Sequence, residues 1–163
     1  MKLLPINIKL DNIDRKILEI HQLNAKITNA QLAKEISLSP APTLERVKKL
    51  ENSGVIKSYH ASLDKEKIGL GVSTLVMVTL KGHNKMSIDF FTNAINEIPE
   101  VIECHHITGS GDFMLKIISQ DIAAYQRLIL EKVSEIEVIN GLHSMVILST
   151  FKEIKAIPLG DDE

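Results

Sequence analysis

Two stretches of this chain carry side chains whose types and spacing suit recognition chemistry. The first is Arg46-Val47-Lys48-Lys49. Its three cations can form charge-assisted hydrogen bonds to phosphates, and Arg46 can also donate two bonds to a guanine edge in a major groove. The second is Thr108-Gly109-Ser110-Gly111-Asp112-Phe113. Two glycines permit backbone conformations that turn amides toward a small carboxylate, and Asp112 beside them can meet an ammonium group. Together these fit the two charged ends of a free α-amino acid, although an ordinary hairpin turn with a solvated aspartate has the same composition. Cys104-His105-His106 offers metal-ligand atoms, but neighbours on a strand point to opposite faces, so the two imidazoles do not share an ion. Cys104 reads as a packing residue, and His21, His60, His83 and His143 as surface or packing residues. No phosphate-binding glycine loop, dinucleotide fingerprint or nucleophile elbow occurs, which turns the reading from catalysis to binding, with no cofactor and no metal.

The basic stretch has to be held by a helix. Asp11 followed by Ile13, Ile17, Ile20 and Leu23 predicts a capped amphipathic helix over about 12–23. Thr28 to Gln31 fits a capping box, and Ser39-Pro40 starts a third helix that Gly54 ends in a left-handed cap. Three short helices with a brief Ser37-Leu38-Ser39 turn make a helix-turn-helix. On a wheel of about 100° per residue, Leu44, Val47 and Leu50 group as the packing side, leaving Ala41, Pro42, Glu45, Arg46 and Lys49 opposite. A solvated basic face has the same pattern; the capped short helix before it and the small residues at its start favour DNA.

The glycine loop sits among alternating element types. Strands over 74–80, 101–108, 113–118 and 142–151, with helices capped by Ser87 and Asp121, give the order β-α-β-β-α-β of a ferredoxin-like fold. Both helices cover one sheet face, and the other, apolar-rich, most simply meets a copy of itself. Val55 to Ala61 reads as a strand pair or extended arm, and the acidic end after Lys152 as a mobile tail. The fold class is therefore α+β, divided as 1–62 (helix-turn-helix, winged-helix-like), 63–72 (hinge), 73–152 (ferredoxin-like) and 153–163 (tail). Net charge is −2, but residues 1–60 hold ten basic against six acidic residues, +4 locally, leaving −6 for the rest. A basic front and an acidic back point to different partners for the two modules. No apolar run approaches the roughly 18 residues of a membrane span, and one cysteine with no secretory signal predicts a cytoplasmic protein.

Leu10 to Leu18, the stretch Ser39-Pro40-Ala41-Pro42-Thr43-Leu44-Glu45-Arg46-Val47 running on to Ile56, Glu103-Cys104-His105 and Thr108 to Phe113 closely resemble the Lrp/AsnC regulators, over about residues 10–152. The resemblance implies an amino-acid-responsive transcription factor of no enzymatic activity, partnered by double-stranded DNA, a small amino-acid effector and itself, as a dimer and a ring of four dimers, without a membrane. It puts DNA contacts on Asn29, Ser39, Pro42, Thr43, Arg46, Lys48 and Lys49. It puts the effector on Thr108, Gly109, Ser110, Gly111 and Asp112, closed by Ile122 and by Met145, Val146 and Ile147, between dimers. Many relatives have an aromatic or acidic residue where this chain has Gly111, which leaves more room or less grip. The branch resembled is the leucine-responsive one, so leucine or methionine is the expected effector. An effector-independent architectural regulator is the alternative. A tetrapyrrole-decarboxylase-like enzyme fits poorly, because Arg127 is the one arginine of the second module.

Overall fold

Reciprocal capping boxes open the first two helices in the computed structural model, which describes residues 9–153 and 156–160. Asp11 accepts the amide of Asp14 at 2.8 Å to start α1 (Asn12–Leu23), and Thr28 accepts that of Gln31 at 3.2 Å to start α2 (Asn29–Glu35). Each satisfies amides that a helix start leaves without a partner. The third helix, α3 (Pro40–Asn52), begins differently. Ser39 holds the cap position, but its side chain makes no cap bond. Pro40 and Pro42 have removed two of the first-turn N–H groups that a cap would serve. Gly54 ends the helix at φ +74°, as its position predicts, while the preceding turn rests on Ser37 at φ +57°.

Ile17, Leu18, Leu32, Ile36 and Leu50 form the core of this first unit, which comprises residues 1–62 and 152–163. Among the described residues, 55–61 contains no strand; Val55 and Ile56 fold onto the helical core and the rest is the extended arm. The expectation of a mobile tail is corrected. Gln22 Nε2 donates to the Ile157 carbonyl at 3.1 Å, the Ile157 amide donates to Gln22 Oε1 at 2.5 Å, and Arg15 Nη1 donates to the Gly160 carbonyl at 2.5 Å. Leu159 packs against the core, which supplies the apolar contact that a solvated tail lacks. The three terminal acids, 161–163, lie outside the described residues.

His21 lies in the last turn of α1 with both ring nitrogens buried and without a hydrogen-bond partner, its ring 5.6 Å from that of Tyr59. Burial holds its pKa below the ordinary 6.5, with Glu51 opposing weakly, and burial with the Glu51 hydrogen bond pushes the Tyr59 hydroxyl up to about 12. The unfolded chain therefore takes up this proton at a higher pH than the folded one. Stability is expected to fall as pH drops below 6.5 and to level off once the folded imidazole is itself charged. His21→Leu should flatten that part of a urea-midpoint series against pH; an unchanged slope would show the proton is taken up elsewhere.

The second unit, residues 63–151, is a four-stranded antiparallel sheet ordered β2-β3-β1-β4, from β1 (Val72–Leu80), β2 (Val101–His106), β3 (Phe113–Ser119) and β4 (Ile139–Val146). Three strands differ by more than one residue from their apolar patterns: β1 begins two residues earlier, β2 ends two earlier, and β4 both begins and ends earlier. Helix α4 (Lys85–Asn96) is capped by Asn84, whose side chain accepts the Ser87 amide at 2.9 Å; Ser87 is a recipient of the cap and not the cap itself. Asp121 caps α5 (Ile122–Leu128), and the last turn of the predicted helix winds as a π turn, Ile129–Val133. Val76, Val78 and Leu80 alternate inward from β1 to meet Leu115 and Ile117 of β3 and Phe91 and Ile95 of α4. The other face carries Leu75, Met77, Met114, Lys116 and a half-exposed Met145. Cys104 does not pack as expected: β2 is an edge strand, and the thiol stands exposed on it.

Candidate functional site

The basic face of α3 is rearranged relative to its helical wheel. Thr43, expected to contact DNA, is fully buried, and Leu44, expected to pack, is 43% exposed. The buried stripe is Thr43, Val47 and Leu50, spaced four and then three residues. Burying Thr43 leaves nothing unpaired, because its hydroxyl donates to the Ser39 carbonyl at 2.9 Å. Ser39, Ala41, Leu44, Glu45, Lys48 and Lys49 remain exposed, and Pro42 is half-buried. The pattern of apolar residues hid the exposure of Leu44; its position beside a hydroxyl that can bond one turn back was the available signal. Asn29 donates to the Pro40 carbonyl at 2.8 Å and so ties the start of α2 to the start of α3.

Arg46 faces inward to two carboxylates. Its Nη1 lies 2.7 Å from Asp11 Oδ2 and 2.7 Å from Asp14 Oδ1, and Lys49 Nζ lies 3.6 Å from Asp14 Oδ2. Asp14 is 1% exposed. The Asp14 amide and then Arg46 hold the Asp11 carboxyl below its usual range, and the two carboxylates hold the guanidinium above its own. Arg46 therefore locks α3 to the cap of α1, and Lys48 and Lys49 are the exposed cations of α3, Lys49 also within reach of Asp14.

In the second unit the glycine loop is tied to β1. The Asp112 amide donates to the Val78 carbonyl at 2.9 Å, and Asp112 Oδ2 accepts the Leu80 amide at 2.8 Å. Its Oδ1 lies 3.1 Å from His83 Nδ1, a contact that separation along the chain concealed. Gly109 adopts φ +124°, which favours glycine. Gly111 is required for a different reason: a Cβ there would stand 2.4 Å from Met77 Cγ and 3.3 Å from the Val78 carbonyl oxygen. The extra room expected at this position is already taken by Met77, whose sulfur also accepts the Ser110 hydroxyl at 3.4 Å.

The remaining predicted effector residues lie elsewhere. Val146 pairs with Thr74 and Met145 with Leu75, near the start of β1, whereas the loop is bonded near its end at Val78 and Leu80. Four residues of strand separate the two places by roughly 14 Å. Ile122 opens α5 just after the far end of β3, and is exposed. A cavity of about 370 Å³ near Ser119, Gln120 and Arg127 contains none of the predicted effector residues. Lys132 on its wall is 3.0 Å from Glu100 and lowers that carboxyl's pKa. His105 pairs with Glu103 at 3.1 Å while His106 stacks on Phe113, so the two imidazoles do part company.

A helix-turn-helix with an outward basic helix, followed by a ferredoxin-like domain bearing a glycine loop tied to its sheet, is the build of a DNA-binding transcriptional regulator with a ligand-binding domain. Residues 10–57 match a winged helix-turn-helix DNA-binding model, and residues 73–157 match the Lrp/AsnC ligand binding domain. The chain belongs to the Lrp/AsnC family. It is 35% identical over 156 residues to the transcriptional regulator AzlB of Bacillus subtilis, covering 96% of this chain and 99% of that one. It is 36% identical over 153 residues to the leucine-responsive regulatory protein of Haemophilus influenzae, covering 94% and 92%. Among solved structures, a transcriptional regulator of Neisseria meningitidis in complex with L-Met matches with TM-score 0.88 and 30% identity over 92% of this chain and 97% of that one. Among the described residues, no helix is long and apolar enough to cross a membrane.

Proposed function

We propose that this regulator acts as a homo-oligomer whose DNA binding is tuned by an apolar amino acid, leucine or methionine, bound where two copies meet, and that it governs genes of amino-acid metabolism. The observation that carries this reading is the separation just described. Loop 108–112 and segment 145–147 belong to one predicted site yet lie toward opposite ends of β1. A second copy is what brings such halves together. Exposed Met145 and Val146 give that contact its apolar area, and the same copies present paired α3 helices to successive major grooves. Homo-oligomers are typical of the family, and the Neisseria relative was solved with L-methionine. Ring assembly of four dimers would let the effector act by shifting assembly states for which its affinity differs. Calorimetric titration of the full chain with the twenty amino acids, alongside sedimentation, tests this: heat with leucine or methionine and a changed oligomer support it.

A second reading, an architectural regulator that takes no effector, is favoured by one observation. Both carboxylate oxygens of Asp112 already have partners, so no idle anion waits for an ammonium group. The same titration decides, since silence with all twenty amino acids would favour it.

On the DNA side, Ser39, Lys48 and Lys49 are assigned to phosphates, and Leu44 with Ala41 to base edges. Lys48→Ala is expected to weaken binding to all sequences and to reduce the slope of log affinity against log salt by about one. Leu44→Ala should instead relax sequence preference, through a lost apolar contact to thymine methyl groups, with the slope unchanged. Gel shifts across a salt series with specific and random DNA separate the two. Equal behaviour of both variants would remove Leu44 from the interface.

A further inference from the structure

We infer that residues 156–160 form a strap that carries the state of the ligand-binding domain to the DNA-binding module. The chain leaves the first unit at Ser62, builds the second over 63–151, and returns to the first. The return starts from β4, the strand that holds Met145 and Val146, whose neighbour Ile147 makes its last sheet bond to the Ser73 carbonyl at 2.9 Å. The module is thus joined to the sensing domain by two chain connections. The second ends on α1, the helix whose cap clamps Arg46.

The docking is specific in form. Gln22 offers one side-chain amide as both donor and acceptor to the carbonyl and amide of a single residue, Ile157, as a neighbouring strand would. Arg15, seven residues earlier and so two helical turns away on the same side of α1, takes the Gly160 carbonyl. Leu159, between them, reaches the module's core. The docking is also shallow: Ile157 is 69% exposed, and these three hydrogen bonds lie at the surface. A contact of this kind holds at rest and releases when β4 is drawn into a ligand-bound arrangement, which is what a transmitting element requires.

This inference rests on the amino-acid-sensing role proposed above, so the test separates the two. Full-length wild type, Leu159→Asp and Gln22→Ala are compared by hydrogen exchange at the Ile157 amide, by calorimetry with L-leucine and L-methionine, and by gel shift with and without them. Slow exchange in the wild type and fast exchange in both variants is the expected docking result; fast exchange in the wild type overturns the strap. The variants are expected to bind amino acid, and to bind DNA without it at the affinity that the ligand-bound wild type shows, while a coupling of about fivefold or more in DNA affinity collapses toward none. Variants that keep the wild-type coupling would also overturn it. Absence of amino-acid binding in the wild type sinks the sensing role and with it the transmission, and is recognised because the exchange result stands independently.

Discussion

Arg46→Ala is expected to destabilise the DNA-binding module by about 3 kcal/mol, whatever it does to base recognition. The substitution leaves Asp14, 1% exposed, as a buried carboxylate whose one remaining cation among the described residues is Lys49 at 3.6 Å. Breaking a buried pair by removing one partner is far costlier than replacing both, because the survivor keeps its desolvation without its attraction. Adding Asp14→Ala to Arg46→Ala should therefore restore part of the loss, as a double-mutant cycle in urea will read. Asp11 adds a pH signature. Its carboxyl is held below the ordinary 3.8, so its contribution is present above that value and is lost as pH falls through the folded pKa; the variant, which keeps the Asp14 amide on that carboxyl, should show that segment of the acid limb reduced and not abolished. An unfolding midpoint equal to wild type, together with a loss confined to guanine-containing operators, would return Arg46 to the role of a base reader.

The second large effect is expected at Asp112. Asp112→Ala strips the partner from the Leu80 amide, in a residue 3% exposed, and the unmade bond costs roughly 1–3 kcal/mol in the ligand-binding domain. Loop 108–112 then loses a bond that fixes it to β1, and amino-acid binding should go with it. Asp112→Asn keeps an oxygen that can accept the Leu80 amide but carries no charge. If the carboxylate acts by holding the loop, Asn is expected to recover both melting temperature and most of the ligand affinity. Recovery of melting temperature alone would show instead that the charge meets the ligand's ammonium group, and that His83 yields its place on the carboxylate. Thermal melts and calorimetry on the two variants give the answer directly.

What could be read from the chain and what could not divides by reach along it. Asp11, Thr28, Gly54 and Asp121 act on residues three or fewer positions away, and their roles follow from local geometry. The order of strands and helices follows from apolar period alone. Arg46 finds its partners 35 and 32 residues back, and Asp112 finds Leu80 32 residues back, so nothing in the neighbouring sequence marks either as engaged. The apolar wheel turns Leu44 inward and the family resemblance turns Thr43 toward DNA, whereas a hydroxyl bonded to the carbonyl one turn back is free to go inside. The docked segment near Leu159 carries no sequence signal, since five residues show no period and their partners lie on the first helix of the chain.

Under the shared-site proposal, the placement of loop 108–112 and segment 145–147 toward opposite ends of one strand would make this protein a gauge of its own abundance. A lone copy would carry two incomplete halves of a site, each made whole only in company. Apparent affinity for the amino acid would then rise with protein concentration and fall on dilution, even though no residue changes. A cell holding few copies would be deaf to the nutrient, and one holding many would respond at lower nutrient levels. Titrations at two protein concentrations a hundredfold apart would show two different curves, and the amount of regulator would itself set the threshold at which it answers.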